Sequence, residues 1–427
     1  MKDFLQRLTR MNWKLIAAFA IAIFYAGLFV IEIRDDKSPI HYGGDYLAFW
    51  SAGKLADEQG YSEIYNLEKL HDIQSQALTT KGFLAESDSA SFFTLPAPFL
   101  SFFLLPFGLL SRIDIESSYW VWVILNLFIV IGYLIFFIRK TRLQENGLSS
   151  NFYLLALVLV SFPLFDNLVN GQLNVFLMVC TGEFVRNTLG KKPILSGVWL
   201  AGLLLKPQLL ILVVPVLLIT RYWKVLLGFI ISSGFILSFS VALSGIDGTM
   251  ALFKLWTGWG ESNAITAPMA MINWRMLATF INELTGYSLV GWIVAALGIT
   301  ATVSAVYMIV KHTPHNGGPQ WVLGILGVFT ATMLVTWHSH HHMALVLIPL
   351  LFYVTAKNLL PEIILFLWVI LPPLVWVIAL IVGQAGIEVN QVVAVSIAGL
   401  FTGIMILFFT LKASYFQQPT RNGGFDL

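Results

Sequence analysis

Long apolar runs, broken at intervals by short polar or basic clusters, set the rhythm of this chain. The first, Leu15–Ile33, is long enough to cross a hydrocarbon core, which takes about 20 apolar residues per helix. Basic residues precede it (Lys2, Arg7, Arg10, Lys14), and short basic loops stay on the cytoplasmic side, so this segment is predicted to exit outward. Later positive clusters recur at Arg139-Lys140-Arg142, Arg186 to Lys192, Arg221 to Lys224, Lys311, Lys357 and Lys412. With all of them inside, the segments between must reach the outer side and return. Their turning points are then Asn170–Asn174, Lys206-Pro207-Gln208, Ser244–Tyr287, Trp337–His342 and Gln384–Asn390. The pattern predicts an all-α polytopic integral membrane protein of about twelve transmembrane helices, both termini inside, forming a single membrane domain over residues 1–427.

Two stretches depart from the regular span. Ile194–Leu205 has only twelve residues, about 18 Å of helix at 1.5 Å per residue, before Lys206-Pro207 and a second short run, Leu209–Thr220. Two such arms should meet below the outer surface and leave Lys206 in or near the hydrocarbon. A lysine at that depth costs roughly 2.5–3.5 kcal/mol on insertion scales, and marks a functional position unless it snorkels to the interface. The second stretch, Phe92–Leu110, carries Pro96, Pro98, Pro106 and Gly108, which predicts a broken or re-entrant segment.

Composition agrees with the membrane assignment: 57% of the 427 residues are hydrophobic and 11% charged, against about 25% charged in a soluble domain. A net charge of +2 gives no support to nucleic-acid binding, and the lone Cys180 excludes an internal disulfide. The first exterior loop, Arg34 to Ser91, holds ten acidic residues (Asp35, Asp36, Asp45, Asp57, Glu58, Glu63, Glu68, Asp72, Glu86, Asp88) against five Lys/Arg.

Asp45 stands out there, in His41-Tyr42-Gly43-Gly44-Asp45-Tyr46-Leu47-Ala48-Phe49-Trp50. A carboxylate just beyond a span and before aromatic residues costs free energy unless it has a partner or a task. Every polar turning point falls on the membrane face that carries it. Tyr46–Glu58 puts Tyr46, Phe49, Trp50 and Gly53 on one helical face; Ser62–Gln76 spaces Ile64, Leu67, Leu70 and Ile73 by three. Both read as interfacial helices roofing a cavity, with packing of a loop on the bundle as the plainer alternative.

Phosphate-binding and dinucleotide-binding glycine motifs are absent. Trp337-His338-Ser339-His340-His341-His342 invites a metal reading, but four histidines so close together cannot all reach one ion from one helix. Hydrogen bonding of one or two imidazoles to a phosphate or sugar hydroxyl is the preferred expectation.

Gly44-Asp45-Tyr46 to Phe49-Trp50-Ser51-Ala52-Gly53, then Gly60 and Ile64-Tyr65-Asn66, resembles glycosyltransferase family 87, the polyprenyl-phosphate-mannose-dependent α-mannosyltransferases. Leu95-Pro96-Ala97-Pro98-Phe99 to Leu105–Leu110, Asn170–Asn174 and Lys206-Pro207-Gln208 agree in order, with weaker echoes at Met271–Arg275 and at Trp337 with His341-His342. The resemblance covers roughly residues 40–350 and implies a GT-C-type bundle with interfacial helices in the first exterior loop, residues 34–91, as part of the active site. It further implies a bacterial inner (plasma) membrane enzyme acting at the extracytoplasmic face, with a polyprenyl-phosphate sugar donor, mannose the commonest. The acceptor would be a glycolipid or glycan.

In the family pattern the first-loop aspartate is the catalytic base, which maps to Asp45; a late histidine maps to His341, the crowding of His338–His342 leaving the register open. The tract Lys81–Ser91 matches poorly. The expected reaction is inverting: an acceptor hydroxyl attacks the anomeric carbon while Asp45 takes its proton. Lys206, then Arg275, with His341 or His342, would meet the departing phosphate, and Gln172, Asn174, Gln208 and Asn273 would hold sugar hydroxyls. No cofactor is required, although a divalent metal stays open. The rivals are a transporter or flippase for a lipid-linked glycan or small polar solute, and a non-catalytic envelope scaffold. Transporters more often carry paired internal repeats, and none is evident.

Overall fold

The computed structural model describes residues 13–34, 43–80, 93–143, 148–259, 267–387 and 389–416. Lys2, Arg7, Arg10, Asp35, Asp36, His41, Tyr42, Glu86, Asp88 and the tract Lys81–Ser91 lie outside them. Within the described residues the chain is helical and without strands; one isolated bridge pairs Met271 with His340. The helices run in order α1 (Trp13–Arg34), α2 (Gly44–Gln59), α3 (Leu67–Thr80), α4 (Ser101–Leu110), α5 (Ile115–Lys140), α6 (Leu148–Leu159), α7 (Phe162–Val169) and α8 (Asn174–Leu189). They continue as α9 (Pro193–Leu200), α10 (Val213–Ile219), α11 (Trp223–Trp259), α12 (Trp274–Thr285), α13 (Ser288–His312), α14 (Pro319–Val335), α15 (Ile348–Ala356), α16 (Glu362–Gln384) and α17 (Gln391–Phe416).

Among the described residues five helices, α5, α11, α13, α16 and α17, are long and apolar enough to cross a membrane, which gives a multi-pass membrane protein. The expected count of about twelve spans is not confirmed by these five. Much of the remaining apolar sequence is cut into shorter helices, because Pro193, Pro207 and Pro319 each start a new element. Proline suits a first turn, where no N–H partner is needed, and cannot continue a preceding helix. The two arms around Lys206 are as short as expected: α9 tightens into a 3-10 turn over Ala201–Leu205, and a second 3-10 turn, Pro207–Leu210, leads to α10.

Burial sorts the helices into shells. α8, α14 and the segment from His341 to Ala356 are enclosed on nearly every side, with Phe184, Phe329 and Phe352 fully buried. α5, α11 and α13 expose apolar side chains such as Phe128, Ile230 and Leu297 outward, as helices facing lipid do. Small residues let the shells close: a side chain at Gly197 would strike the backbone of Val225, and one at Gly228 the backbone of Ile194, so α9 and α11 meet backbone to backbone.

α2 and α3 follow α1 in the chain and are buried to different extents. α2 is buried along most of Tyr46–Ala56, including both the predicted apolar face and Ser51, so protein rather than headgroups encloses it. α3 starts at Leu67, with Ile64 in the preceding turn, and buries Leu70, Ile73, Gln74 and Leu78. Gln74 ties this corner together: its amide donates to Ser51 Oγ (2.9 Å) and to the Leu95 carbonyl (2.7 Å), and accepts from Leu95 N–H (2.9 Å).

Candidate active site

Two glycine turns bring the start of α2 onto the bundle. Gly43 precedes α2 at φ 61°, and a Cβ there would lie 2.6 Å from the Asn170 carbonyl carbon. Gly171 sits at φ 64°, and a Cβ on it would lie 2.5 Å from Tyr46 Cβ. Positive φ and this proximity both select glycine. Hydrogen bonds close the joint: Tyr46 N–H to the Asn170 carbonyl (3.2 Å), Trp122 Nε1 to the Gly171 carbonyl (2.9 Å), Tyr119 hydroxyl to the Leu168 carbonyl (2.9 Å) and Gln172 N–H to the Asn167 carbonyl (2.9 Å).

The joint sets Asp45, in the first turn of α2, against Gln172. The Gln172 amide donates through Nε2 to Asp45 Oδ2 and accepts through Oε1 from Lys206 Nζ at 3.1 Å. One neutral side chain thus links a carboxylate and an ammonium. The amide orientation follows from charge, since the reverse would turn the NH2 toward Lys206 and the carbonyl toward Asp45. Lys206, between the two short arms, is only 6% exposed.

A second carboxylate, Asp166 of α7, lies one turn before the joint. Its Oδ2 accepts from His342 N–H (3.0 Å) and faces His342 Nδ1 (3.1 Å); its Oδ1 accepts from Asn170 Nδ2 (2.9 Å). Burial pushes the Asp45 carboxyl above its ordinary range; the Gln172 hydrogen bond and the Lys206 charge pull it back, while Asp166 pushes it up. Asp166 is likewise raised by burial, against the pull of His341, His340, the His342 backbone N–H and Lys206.

All these groups open on one cavity of about 890 Å³, within the size range of small-molecule sites. Asp45, Asp166, Gln172, Lys206, Gln208, His338, His340, His341 and His342 line its polar part. Phe49, Phe93, Pro96, Phe99 and Trp256 line an apolar flank, and Trp376 and Val395 contribute on α16 and α17. Trp256 Nε1 donates to the Pro98 carbonyl (2.8 Å), fixing the proline-rich strip 93–100 as a wall.

The histidines separate by environment. His340 pairs its Nδ1 with the Ala270 carbonyl (3.1 Å), its ring between those of His338 and His342, at centroid distances of 4.6 and 5.5 Å. His341 meets Phe162 edge to face at 4.7 Å, and its Nε2 is sealed without a partner among the described residues. His342 is held by the Asp166 carboxylate.

Three expected ligands stand away from the lining. The Arg275 guanidinium lies over the Trp337 ring, 4.1 Å from its centroid, and Trp337 in turn stacks on Trp292 at 5.8 Å. Asn174 is fully buried and its amide donates to Asn167 Oδ1 (3.1 Å), bracing the turn after α7. Asn273 caps α12, accepting from Met276 N–H (3.0 Å) and donating to the Thr336 carbonyl (2.8 Å). Asn273 bonds to backbone and Asn174 to the side chain of Asn167, the competing uses of a buried amide.

Asp166 is the site group that sequence reasoning missed. Its only signal was an acidic residue in the apolar stretch Phe162-Pro163-Leu164-Phe165-Asp166, four residues before the Asn170 turn. Among the described residues, no three His, Cys, Asp or Glu side chains gather as a metal site.

Comparison with curated proteins and with solved structures returned no match. The sequence model of glycosyltransferase family 87 matches residues 93–336, more than half of the chain. The matched stretch contains Asp166, Gln172 and Lys206; Asp45 precedes it and His342 follows it, and each is hydrogen-bonded to a residue within it. By the extent of that match, the chain belongs to glycosyltransferase family 87.

Proposed function

We propose that this glycosyltransferase moves a hexose, mannose by the family resemblance, from a polyprenyl-phosphate donor to a hydroxyl of a glycolipid or glycan. It does so with inversion, at the extracytoplasmic face of a bacterial plasma membrane. The observation that carries the reading is the Asp45–Gln172–Lys206 chain at the polar part of a cavity whose flank is apolar. A carboxylate and an ammonium held apart by one amide can serve the two ends of a displacement. Asp45 accepts the proton of the acceptor hydroxyl as its oxygen bonds to the anomeric carbon. The bond from that carbon to the phosphate oxygen breaks, and the prenyl phosphate leaves with the electron pair as a dianion.

Lys206 meets the added negative charge. Stabilising developing charge in a water-poor site is commonly the larger catalytic contribution, with general-base help worth about 10²–10⁴-fold. Gln208 faces the sugar hydroxyls from the same break. Arg275 acts from behind Trp337, Asn174 through the turn it braces and Asn273 through the helix it caps. Phe49, Phe93, Pro96 and Phe99 suit an isoprenoid chain. The step requires no cofactor.

The test is transfer from radiolabelled polyprenyl-phosphate mannose into a host membrane-lipid extract, comparing wild type with Asp45→Asn at equal expression and donor binding. Product from wild type and none from the variant supports the reading. Undiminished transfer by Asp45→Asn removes Asp45 as the base.

A further inference from the structure

Two carboxylates reach the cavity, and the displacement above uses only one. Asp166 is too well partnered to be an accidental charge: His342 contributes a backbone N–H and its Nδ1 to one oxygen, and Asn170 contributes an amide N–H to the other. A carboxylate oxygen can only accept, so Nδ1 of His342 must carry the hydrogen at that contact. The neutral imidazole then presents Nε2 as a lone pair. Both residues line the cavity, and His342 Nε2 is not among the sealed, unpartnered atoms, in contrast to His341 Nε2. Stacking against His340 fixes the plane of the ring. Tautomer, position and ring plane of His342 are therefore all set from outside the imidazole.

We propose that Asp166 is the positioning residue for His342, holding its imidazole as the Nδ1–H tautomer so that Nε2 accepts a hydrogen bond from a hydroxyl of the sugar substrates. The inference rests on the cavity being the transfer site, as argued above. It gives the histidine cluster a division of labour: His342 faces hydroxyls, His341 packs against Phe162, and Lys206 carries the cation. An acceptor nitrogen cannot bind an ionised phosphodiester, so His342 serves a different part of the substrate from Lys206. No proton need be transferred to Nε2 for this role.

The discriminating substitution is Asp166→Asn, which keeps the size of the side chain and, with its oxygen toward Asn170 Nδ2, the acceptor for that amide. Its NH2 then stands where Oδ2 met His342, giving up the acceptor for the backbone N–H and donating to Nδ1, which reverses the tautomer and turns Nε2 from acceptor to donor. In ¹⁵N-histidine-labelled protein in lipid nanodiscs, the His342 signal, identified by its loss in His342→Gln, is expected in the Nδ1–H form in wild type. It should move to the Nε2–H form in Asp166→Asn. Transfer from polyprenyl-phosphate mannose should fall about 2–13-fold in kcat, the worth of one neutral hydrogen bond, with donor KM within about twofold, and the double variant Asp166→Asn/His342→Gln should be no slower than His342→Gln alone.

An Nε2–H tautomer in wild type, a tautomer unmoved by Asp166→Asn, or multiplying effects in the double variant would overturn the inference. Failure of the transfer-site reading looks different: Asp45→Asn would then transfer as well as wild type, whereas the tautomer measurement needs no substrate.

Discussion

Gln172 offers the sharpest test of how the site works, because one neutral side chain stands between its two charged groups. Gln172→Leu keeps approximate volume and the backbone bond to Asn167, and deletes the amide contacts to Asp45 and Lys206. Hydrogen bonds to charged groups contribute roughly 1.5–3 kcal/mol each, so the two together are worth about 3–6 kcal/mol before solvent replaces any of them. The cavity admits water, which restores part of that. If one bond's worth is lost from the transition state, kcat falls about 10–150-fold, at 1.36 kcal/mol per factor of ten.

A second effect is separable from the rate. The Gln172 bond holds the Asp45 carboxyl down against burial. Without it the base protonates at higher pH, and the acid limb of kcat/KM moves up. Gln172→Glu should be worse than Gln172→Leu, since it replaces the donor on Asp45 with a like charge. Initial rates with labelled polyprenyl-phosphate mannose across pH, with Tm as a folding control, measure both effects. A Gln172→Leu enzyme within threefold of wild type, with an unmoved acid limb and equal Tm, would refute the bridging argument.

Three further outcomes follow from the same geometry. Lys206→Met removes a positive charge that lowers the Asp45 carboxyl, and a base is active above its pKa; the variant should retain little transfer, with its acid limb displaced to higher pH, and an unmoved limb would separate the two groups. Gly171→Ala forces a left-handed residue into contact with Tyr46 and should lower Tm, at a backbone cost of about 1–2 kcal/mol before any steric displacement; unchanged Tm would deny that the two turns interlock. Arg275→Gln removes a cation–π contact worth about 0.5–2 kcal/mol, so it should alter tryptophan fluorescence and slow transfer less than Lys206→Met does; an equal loss of transfer would put the guanidinium on substrate.

Much of the site could be read from the chain because membranes penalise unexplained polarity. Asp45, the Asn170–Asn174 turn, the Lys206 break and the histidine cluster each interrupt an apolar background, and the fold brings all four to one cavity. What could not be read was which polar atoms face inward. Asn174 and Asn273 carry the same amide as Gln172, but one braces a turn and the other caps a helix. That choice depends on partners far away in sequence. Asp166 escaped for the opposite reason: it belongs to no motif, and its partner His342 lies 176 residues on. The count of about twelve spans is not confirmed by the five long helices, since hydropathy registers apolar content and not where proline ends a helix. α2 shows the same limit, because an aromatic face and a small-residue face suit burial on both sides as well as an interface.

The interlocked turns at Gly43 and Asn170 also bear on the order of events during synthesis. Gln172 follows Asp45 by 127 residues. At ribosomal speeds of about 5–20 residues per second, the amide emerges roughly 6–25 s after the carboxylate. His342 reaches Asp166 only after a longer interval. The polar part of the cavity is therefore completed late, when most of the chain has already been inserted. A nascent or truncated chain ending before residue 342 carries both aspartates but lacks the residue that bonds Asp166 Oδ2, so that side of the site stays incomplete until then.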